Sequence, residues 1–231
     1  LKALFKSNFM GGQWLRAIAM VTSLGFYIVG CRALPLTEVY ALSYTSPLFI
    51  TLLSGLILKE PTNFKGLIAV FCGFIGVITI IQPGTGVFQL VSIAPILSGF
   101  FTALAVLWGR QLTFQDSTAL ISMTYLICTL VPSTATFFLG WEVPQGDAWL
   151  LLIGIGILGG LAQWFFIDAF RQAPAPTLAP LDYLGILWAS IIGVFYFKDT
   201  LSLNLILGAL LIIGSGLIML LKDQYLRKMQ P

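Results

Sequence analysis

The fold is decided by residues 32–60, RALPLTEVYALSYTSPLFITLLSGLILKE, because the same pattern returns at residues 171–199 as RQAPAPTLAPLDYLGILWASIIGVFYFKD. The two copies align without a gap at a constant offset of 139 residues, from position 32 to position 171. The matched pairs include Arg32 and Arg171, Pro35 and Pro174, Tyr44 and Tyr183, and Glu60 and Asp199. An ordered set of matches over nearly thirty residues indicates an internal duplication.

Composition places the chain in a lipid bilayer. Hydrophobic residues make up 58% and charged residues only 9%, whereas a soluble domain carries about 25% charged residues. So few charges could not cover a surface that faces water. The net charge of +3 reflects an uneven distribution of basic residues between the loops. Because these residues form no cluster, we expect no nucleic-acid partner.

Eight apolar runs can each form a transmembrane helix. Each is close to the roughly 20 residues that a helix needs to cross the hydrocarbon, and in lipid the backbone must satisfy its own hydrogen bonds, which excludes open strands. We therefore predict an all-α polytopic membrane bundle, with spans near residues 14–34, 36–58, 64–82, 91–112, 119–141, 149–170, 176–197 and 203–221.

The basic residues predict the orientation. If the N-terminal lead is cytoplasmic, ten of the 12 basic residues lie inside, and only Arg32 and Lys198 lie outside. The positive-inside rule favours this orientation, with both ends cytoplasmic. We expect the plasma membrane, in a bacterium the inner membrane.

The duplication is inverted in this orientation. The copy at 32–60 starts at an outer loop, and the copy at 171–199 starts at an inner loop. Inverted repeats build a solute site near the bilayer midplane, between halves that can move against each other. Two spans precede the second copy's three, and none precedes the first copy's three. We therefore expect ten helices in two groups of five, two of them ahead of residue 1.

The repeated segments resemble a known family. RALPLTEVYALSYTSPLFITLLSGLILKE with GLIAVFCGFIGVITI is similar to the end of a first EamA domain, of the drug/metabolite transporter superfamily. APAPTLAPLDYLGILWASIIGVFYFKDTLS with LILGALLIIGSGLIML is similar to the end of a second. The resemblance implies secondary transport of a small metabolite, such as an amino acid or a related compound, through a cavity lined by 14–34, 36–58, 149–170 and 176–197. It also implies three parts: residues 1–82 (end of the first repeat), 88–222 (second repeat) and 223–231 (cytoplasmic tail).

Polar residues inside the spans are the candidate site. Hydroxyl-bearing and aromatic residues of the first copy recur every three or four positions, which puts them on one helix face. That face is either a helix–helix interface or a cavity wall. The candidates from both copies are Tyr40, Tyr44, Thr51, Tyr183 and Ser190, joined by Gln163 and Trp164 of another span.

Two acids and two prolines complete the prediction. Placing a charged side chain inside a span costs free energy, so we expect each such side chain to have a structural or functional role. Glu38 is either an acid favoured by a helix N-terminus or part of the cavity. Asp182, which replaces Ser43 of the first copy, either pairs with Arg171 or Arg110, or binds a proton or a cationic group of the solute. Pro47 and Pro180 predict helix bends.

The motifs present in the sequence, and those missing from it, limit the classes of function that the chain can have. The chain has no histidine and neither H-E-x-x-H nor G-x-S-x-G, so we predict that it is not an enzyme. The G-x-G-x-x-G of residues 154–159 lies inside an apolar span, where helix packing explains it better than a dinucleotide. We predict a secondary transporter that works by alternating access, and the alternative is a channel-like or structural bundle. The expected partners are a small solute with a coupling proton, the bilayer and a second copy; no cofactor or metal is expected.

Overall fold

The computed structural model describes residues 10–34, 36–60, 64–82, 90–136, 143–196 and 203–228. Helices and the turns between them make up these segments, and no strand occurs within them. The prediction of an all-α bundle is confirmed. Each helix exists because its apolar side chains suit lipid or a packed neighbour, while its backbone groups bond to one another.

The helices follow the chain in a simple order. Two short 3₁₀ segments, Leu90–Ser92 and Ala179–Tyr183, lie among them. The α-helices are α1 Met10–Ala33, α2 Leu36–Ser43, α3 Ser46–Ile57, α4 Phe64–Ile81, α5 Ile93–Leu112, α6 Thr118–Thr136, α7 Ala148–Gln172, α8 Ala175–Leu178, α9 Leu184–Tyr196 and α10 Leu203–Lys228.

The helical segments coincide with the eight predicted spans. Five are long and apolar enough to cross a bilayer: Met10–Ala33, Val39–Ile57, Leu90–Leu112, Ala148–Gln172 and Ala175–Ile192. Three shorter apolar helices occupy the other predicted spans: Gly66–Ile81, Thr118–Leu130 and Leu203–Ser215. Both copies of the repeat fall on spanning segments.

The two repeated spans are interrupted beside Pro47 and Pro180, the residues at which the sequence predicts helix bends. In the first copy, α2 and α3 are separated by a turn at Tyr44–Thr45, where the Thr45 side chain donates to the carbonyl of Leu42 at 2.7 Å. Pro47 has no N–H to donate to the carbonyl four residues earlier, so the regular ladder cannot run through. In the second copy the tighter 3₁₀ segment, which contains Pro180, separates α8 from α9.

The two interruptions touch each other. The rings of Tyr44 and Tyr183, which are matched positions of the repeat, lie 6.1 Å apart between centroids and are tilted by 41°. A residue can contact its own counterpart only near the axis that relates two repeats. The tyrosine pair therefore marks the pseudo-twofold axis of the bundle.

Two other counterparts, α4 and α10, pack closely through glycine. A Cβ atom built on Gly76 would lie 2.8 Å from the carbonyl oxygen of Gly208, and one built on Gly208 would lie 2.6 Å from the carbonyl oxygen of Gly76. Backbones approach this closely only where side chains are absent. The pair packs beside a buried cluster that contains Val77, Tyr183 and Ile212.

The counterparts α1 and α7 have unequal surroundings. Helix α1 packs along α5 and also against α6. Helix α7 buries Ile167 and Phe170 near its C-terminal end. Most of its other apolar side chains are exposed, including Leu150, which is 77% exposed. In the described part of the chain, a Cβ on Gly154 or Gly156 would meet no atom within 4 Å. The predicted helix packing at this glycine motif is therefore not found there.

Candidate functional site

A cavity of about 480 Å³ lies beside the two interruptions. Its walls come from α1, α2, α5, α6 and the 3₁₀ segment Ala179–Tyr183. Tyrosines and small hydroxyl residues supply most of its polar lining: Tyr27, Tyr40, Tyr44, Tyr125, Ser23, Ser43, Ser46, Ser98, Thr102 and Thr129. A site of this size, lined by aromatic and a few polar groups, is typical of small-molecule binding.

A cluster of three hydroxyls joins α1 to α5 at the cavity. The Ser23 hydroxyl donates to the backbone carbonyl of Ser98 at 2.9 Å. Its oxygen also lies 3.0 Å from Ser98 Oγ and 2.7 Å from Thr102 Oγ1. Ser23 and Ser98 are almost fully buried. We call these three residues the hydroxyl triad.

Aromatic rings form the other walls. Tyr27 and Tyr40 meet edge to face, with ring centroids 6.1 Å apart. Tyr125 lines the cavity, and the guanidinium of Arg16 lies 5.4 Å from the centroid of its ring. Arg16 itself is 2% exposed and donates to the carbonyl of Ile121. The ring of Tyr125 thus belongs both to the cavity and to the surroundings of a buried cation.

Asp182 is the acid of this cavity. It lies in the 3₁₀ segment, it is exposed, and its counterpart Ser43 lines the same cavity. The predicted ion pair with Arg110 or Arg171 is not found. Arg110 bonds to Glu60 at 3.0 Å instead, and Arg171 donates to Thr118 Oγ1 and to a backbone carbonyl.

A smaller cavity of about 210 Å³ shares Asp182 with the first. Its other lining residues come from α3, α7 and the α8 region, and they are apolar: Ile50, Phe166, Ala169, Phe170, Leu178, Ala179 and Leu181. Asp182 is therefore the polar group at the boundary between a hydroxyl-rich cavity and an apolar one.

The structure brings three predicted residues together at the main cavity: Tyr40, Tyr44 and Asp182. The two predicted bend residues lie beside this site. Pro47 is the second residue of α3, directly after the first interruption, and Pro180 is the second residue of the 3₁₀ segment. The backbone of Glu38 lies in α2, and its side chain is outside the described atoms.

The structure places five predicted residues elsewhere. Thr51 is buried and donates to the carbonyl of Pro47 at 2.9 Å, and Ser190 donates to the carbonyl of Ile186 at 2.8 Å in a groove between α9 and α10. Gln163 and Trp164 lie on α7. Tyr183 is fully buried behind Tyr44. Their contact with a solute stays a prediction.

Of the lining residues that escaped the prediction, six carry a common signal. They form three pairs spaced four residues apart, each on one helix and each joining hydroxyl-bearing side chains: Ser23 and Tyr27, Ser98 and Thr102, and Tyr125 and Thr129. Residues four apart share a helix face. A search of every span for such pairs would have found this wall.

A layer of buried polar contacts closes the bundle at the N-terminal end of α1. We call it the polar belt, and it consists of Gln13, Arg16, Glu60, Arg110, Asp116 and Arg171. Gln13 Nε2 donates to Asp116 Oδ2 at 2.8 Å. Arg171 donates to Thr118 Oγ1 at 3.1 Å and to the carbonyl of Asp116 at 2.6 Å. Helices α1 and α7 are thereby fixed to the start of α6.

The Glu60–Arg110 ion pair links the two repeats within this belt. Arg110 also donates to the carbonyls of Phe170 and Arg171 at the end of α7. Glu60 Oε2 accepts the backbone N–H of Ala175 at 2.8 Å. The two side chains are only 14% (Glu60) and 9% (Arg110) exposed. One ion pair therefore connects α3, α5, α7 and α8 on the side away from the hydroxyl triad.

Comparison with known proteins agrees with this architecture. The sequence profile of the EamA-like transporter family matches residues 6–82 and 89–221. A solved crystal structure superposes with a TM-score of 0.84 at 18% sequence identity, covering 97% of this chain and 80% of that one. At this identity the superposition demonstrates the fold alone.

Several bacterial transporters are similar in sequence. The riboflavin transporter of Vibrio cholerae is 34% identical over 183 residues, which is 78% of this chain and 61% of the relative's length. The riboflavin transporter of Brucella anthropi is 32% identical over 229 residues, covering 96% of this chain and 80% of the relative. An S-adenosylmethionine uptake transporter of Rickettsia felis is 25% identical, covering 91% and 71%.

The profile match covers nearly the whole chain, and the helices, their interruptions and their cavity fit it. The predicted resemblance is confirmed, as is the prediction that the chain is not an enzyme. The chain is a multi-pass membrane protein and belongs to the EamA-like transporter family.

Proposed function

We propose that the protein moves a small metabolite across the membrane by alternating access, without hydrolysing ATP, and that riboflavin is its substrate. One observation carries the proposal: the main cavity lies where the interrupted helices of two inverted repeats meet, beside Tyr44 and Tyr183. Transporters built from inverted repeats bind their solutes at such interrupted helices. A channel or a structural bundle would have no need of this symmetry.

The lining of the cavity supports a planar, polar solute. Four tyrosines can stack on a ring or meet its edge, and the hydroxyl groups can bond to its polar atoms. Relatives with riboflavin in their names are 32% and 34% identical to this chain. S-adenosylmethionine is the second candidate, because Asp182 could bind its positive charge.

The orientation gives the two ends of the bundle different roles. We propose that the polar belt lies on the cytoplasmic side, as the distribution of basic residues predicts, with both chain ends there too. The hydroxyl triad then belongs to the outer half. The belt would hold the inner side closed while a solute enters from outside, and breaking the Glu60–Arg110 pair would accompany opening inward.

Coupling is proposed at Asp182. An intramembrane acid without an ion pair can exchange a proton with each side in turn, and Asp182 borders both cavities. We therefore propose that a proton gradient drives transport through this carboxyl group. The homodimer that we predict from the sequence stays a prediction.

Counterflow in liposomes tests the transport proposal. The protein is reconstituted with unlabelled riboflavin inside, and the entry of labelled riboflavin is followed with time. We expect a transient, saturable overshoot, since a carrier exchanges one solute for another. A linear flux without saturation would support the channel alternative. Overshoot with S-adenosylmethionine but not with riboflavin would assign the second candidate.

A further inference from the structure

The hydroxyl triad has a fixed pattern of hydrogen bonds that limits what it can offer a solute. A serine or threonine hydroxyl has one proton to donate and two lone pairs to accept with. The Ser23 proton goes to the backbone carbonyl of Ser98. The contacts of Ser23 Oγ with Ser98 Oγ and Thr102 Oγ1 must then use the protons of Ser98 and Thr102.

With all three protons used inside the triad, Ser98 and Thr102 have only lone pairs left for the cavity. Thr129, on the facing helix α6, is in the same situation because its hydroxyl donates to the carbonyls of Tyr125 and Leu126. The carboxylate of Asp182 also only accepts. Ser98, Thr102, Thr129 and Asp182 therefore offer the cavity only acceptors, whereas Ser43 and the four tyrosines of the lining carry hydroxyls that can donate.

Positive charge is missing from the same lining. Within the described part of the chain, no lysine or arginine lines the cavity. The nearest cation that the structure identifies is Arg16, which lies behind the ring of Tyr125 and bonds to the carbonyl of Ile121. An anionic group in the cavity would be repelled by Asp182, and in the described lining it would find only neutral hydroxyl donors and no cationic partner.

We infer that this cavity selects solutes that present hydrogen-bond donors and carry no net negative charge, and that Thr102, held by Ser23, is a specificity-determining acceptor. The inference rests on the proposed function, since it concerns the solute of the same cavity. It goes further by naming the chemistry of recognition: a polyol, amine or imide is accepted, and a derivative of the same compound made anionic by a phosphate monoester or a free carboxylate is rejected.

The first experiment compares two ligands that differ by one phosphate. Binding of riboflavin and of riboflavin 5′-phosphate to the purified protein is measured by equilibrium dialysis. We expect the neutral ligand to bind at least about tenfold more tightly, because a buried charge without partners loses its solvation. Equal or tighter binding of riboflavin 5′-phosphate would overturn the inference. If that binding were then lost in Arg16→Gln, Arg16 would be the group that recognises the phosphate.

The second experiment removes the acceptor and keeps the shape. Thr102→Val is tested with riboflavin and with the flavin in which a methyl group replaces the hydroxylated ribityl chain. We expect riboflavin binding to weaken about three- to tenfold, the size of one hydrogen bond, and binding of the methyl flavin to stay unchanged. Ser23→Ala should likewise reduce the preference for riboflavin over the methyl flavin, since it frees the protons of Ser98 and Thr102.

A matched control and a second ligand pair make every outcome decisive. Thr79→Val removes a hydroxyl on α4 that donates to the carbonyl of Ile75, away from the cavity, and should change neither flavin. If Thr102→Val weakens the binding of both flavins equally, the triad only packs α1 against α5 and the inference is wrong.

If the native protein binds no flavin, the riboflavin proposal fails. Adenosine and adenosine 5′-phosphate then decide the inference, and binding of neither, or no preference for adenosine, overturns it.

Discussion

Among single residues, Asp182 differs most from its counterpart in the other repeat. Ser43 occupies the matched position, and both side chains line the same cavity. The two arginines that might have neutralised Asp182 are used elsewhere, Arg110 by Glu60 and Arg171 by Thr118 and a carbonyl. Asp182 is not needed to balance those cations, and this is why we propose for it a role with the solute or with a proton.

We predict that Asp182→Asn folds normally and loses gradient-driven transport. The thermal midpoint in detergent should change little, since an exposed side chain without an ion pair contributes within about 0.5 kcal/mol. Uptake under an imposed pH gradient should fall at least about tenfold, because the amide cannot carry a proton in this pH range. Asp168→Asn is the control: its carboxylate bonds to Gln172 on the surface of α7, and transport should be unchanged. Normal uptake by Asp182→Asn, with its pH dependence intact, would contradict the coupling role.

The tyrosine pair allows a second prediction, because its members differ in environment. The Tyr183 hydroxyl is buried without a partner in the described part of the chain, so Tyr183→Phe should leave stability unchanged or raise it by up to about 1 kcal/mol. Tyr44 lines the cavity, so Tyr44→Phe should weaken solute binding about threefold or more. Thermal unfolding and equilibrium dialysis measure the two effects. A clear loss of stability in Tyr183→Phe would mean that its hydroxyl has a bonding partner after all.

At the scale of helices, glycine decides how closely α4 and α10 approach. Adding a methyl group at Gly76 or at Gly208 would place it within 3 Å of the facing backbone carbonyl. We predict that Gly76→Ala and Gly208→Ala each destabilise the protein by about 2 kcal/mol, the usual cost of overpacking. The measurement is the thermal midpoint in detergent.

Gly154→Ala is the matched control for this prediction. A Cβ there meets no described atom within 4 Å, so the alanine should be neutral, or stabilising by up to about 1 kcal/mol through helix propensity. If Gly154→Ala were as harmful as Gly76→Ala, the close approach of α4 and α10 would not be the cause.

The polar belt gives a prediction about stability and access. Glu60→Gln leaves Arg110 without its carboxylate, and losing one partner of a buried ion pair costs about 3 kcal/mol. The thermal midpoint should fall accordingly, while Lys59→Gln on the exposed neighbour should stay within about 0.5 kcal/mol.

The same variant should open the bundle at the belt. A cysteine at Ala179, which is 1% exposed, is placed in a chain whose Cys31, Cys72 and Cys128 are replaced by serine. It should react with a membrane-impermeant thiol reagent much faster when Glu60→Gln is also present. Equal labelling rates with and without Glu60→Gln would mean that the ion pair stabilises the bundle without closing it.

The sequence located the spans and the prolines beside which they are interrupted, but not the exact turn in the first copy. About twenty apolar residues predict a span because the bilayer has a fixed thickness. Hydropathy averaged over such a length does not change when the helix is broken by one turn at Tyr44–Thr45. Pro47 signals a bend, but the place of the turn also depends on α5, since a Cβ on Gly99 would lie 2.7 Å from Thr45 Oγ1. Such an approach between distant segments is not readable from hydropathy.

The candidate site could be predicted only where a second copy drew attention to it. Tyr44 and Asp182 lie on the repeated segment, so comparison of the copies singled them out. Ser98, Thr102 and Tyr125 lie on α5 and α6, for which the chain offers no counterpart to compare. Their role depends on which helix they face, and that follows from tertiary packing.

At the scale of the whole molecule, α7 has an unusually bare apolar surface. Its counterpart α1 packs on α5 and α6, whereas residues such as Leu150, Ile155 and Leu158 of α7 are more than two-thirds exposed. In the described part of the chain, the N-terminal part of α7 therefore lacks the cover that α5 and α6 give to α1.

Topology provides the prediction for the whole chain. In the cysteine-free background, single cysteines at Gly86 and Gly146 should react with an impermeant reagent added to intact cells, and one at Gln115 should react only after the membrane is opened. We expect this result because the basic residues favour a cytoplasmic location for the end of the bundle that carries the polar belt. Gln115 follows α5 at that end. Labelling of Gln115 from outside, with Gly86 and Gly146 protected, would reverse the orientation.

The contact between Tyr44 and Tyr183 also has a consequence for how the chain could have evolved. In an ancestor with a single copy, two identical subunits would have met at this position, and any residue there would have faced itself. Two aspartates in place of Ser43 and Asp182 would have put two like charges in one cavity, which disfavours the ionised form of both. A lone carboxylate requires that the two copies can mutate separately, which a single gene for two identical subunits does not allow. Duplication of the gene would thus have preceded the acquisition of the acid, and proteins built from two identical subunits should lack an acid at the equivalent place.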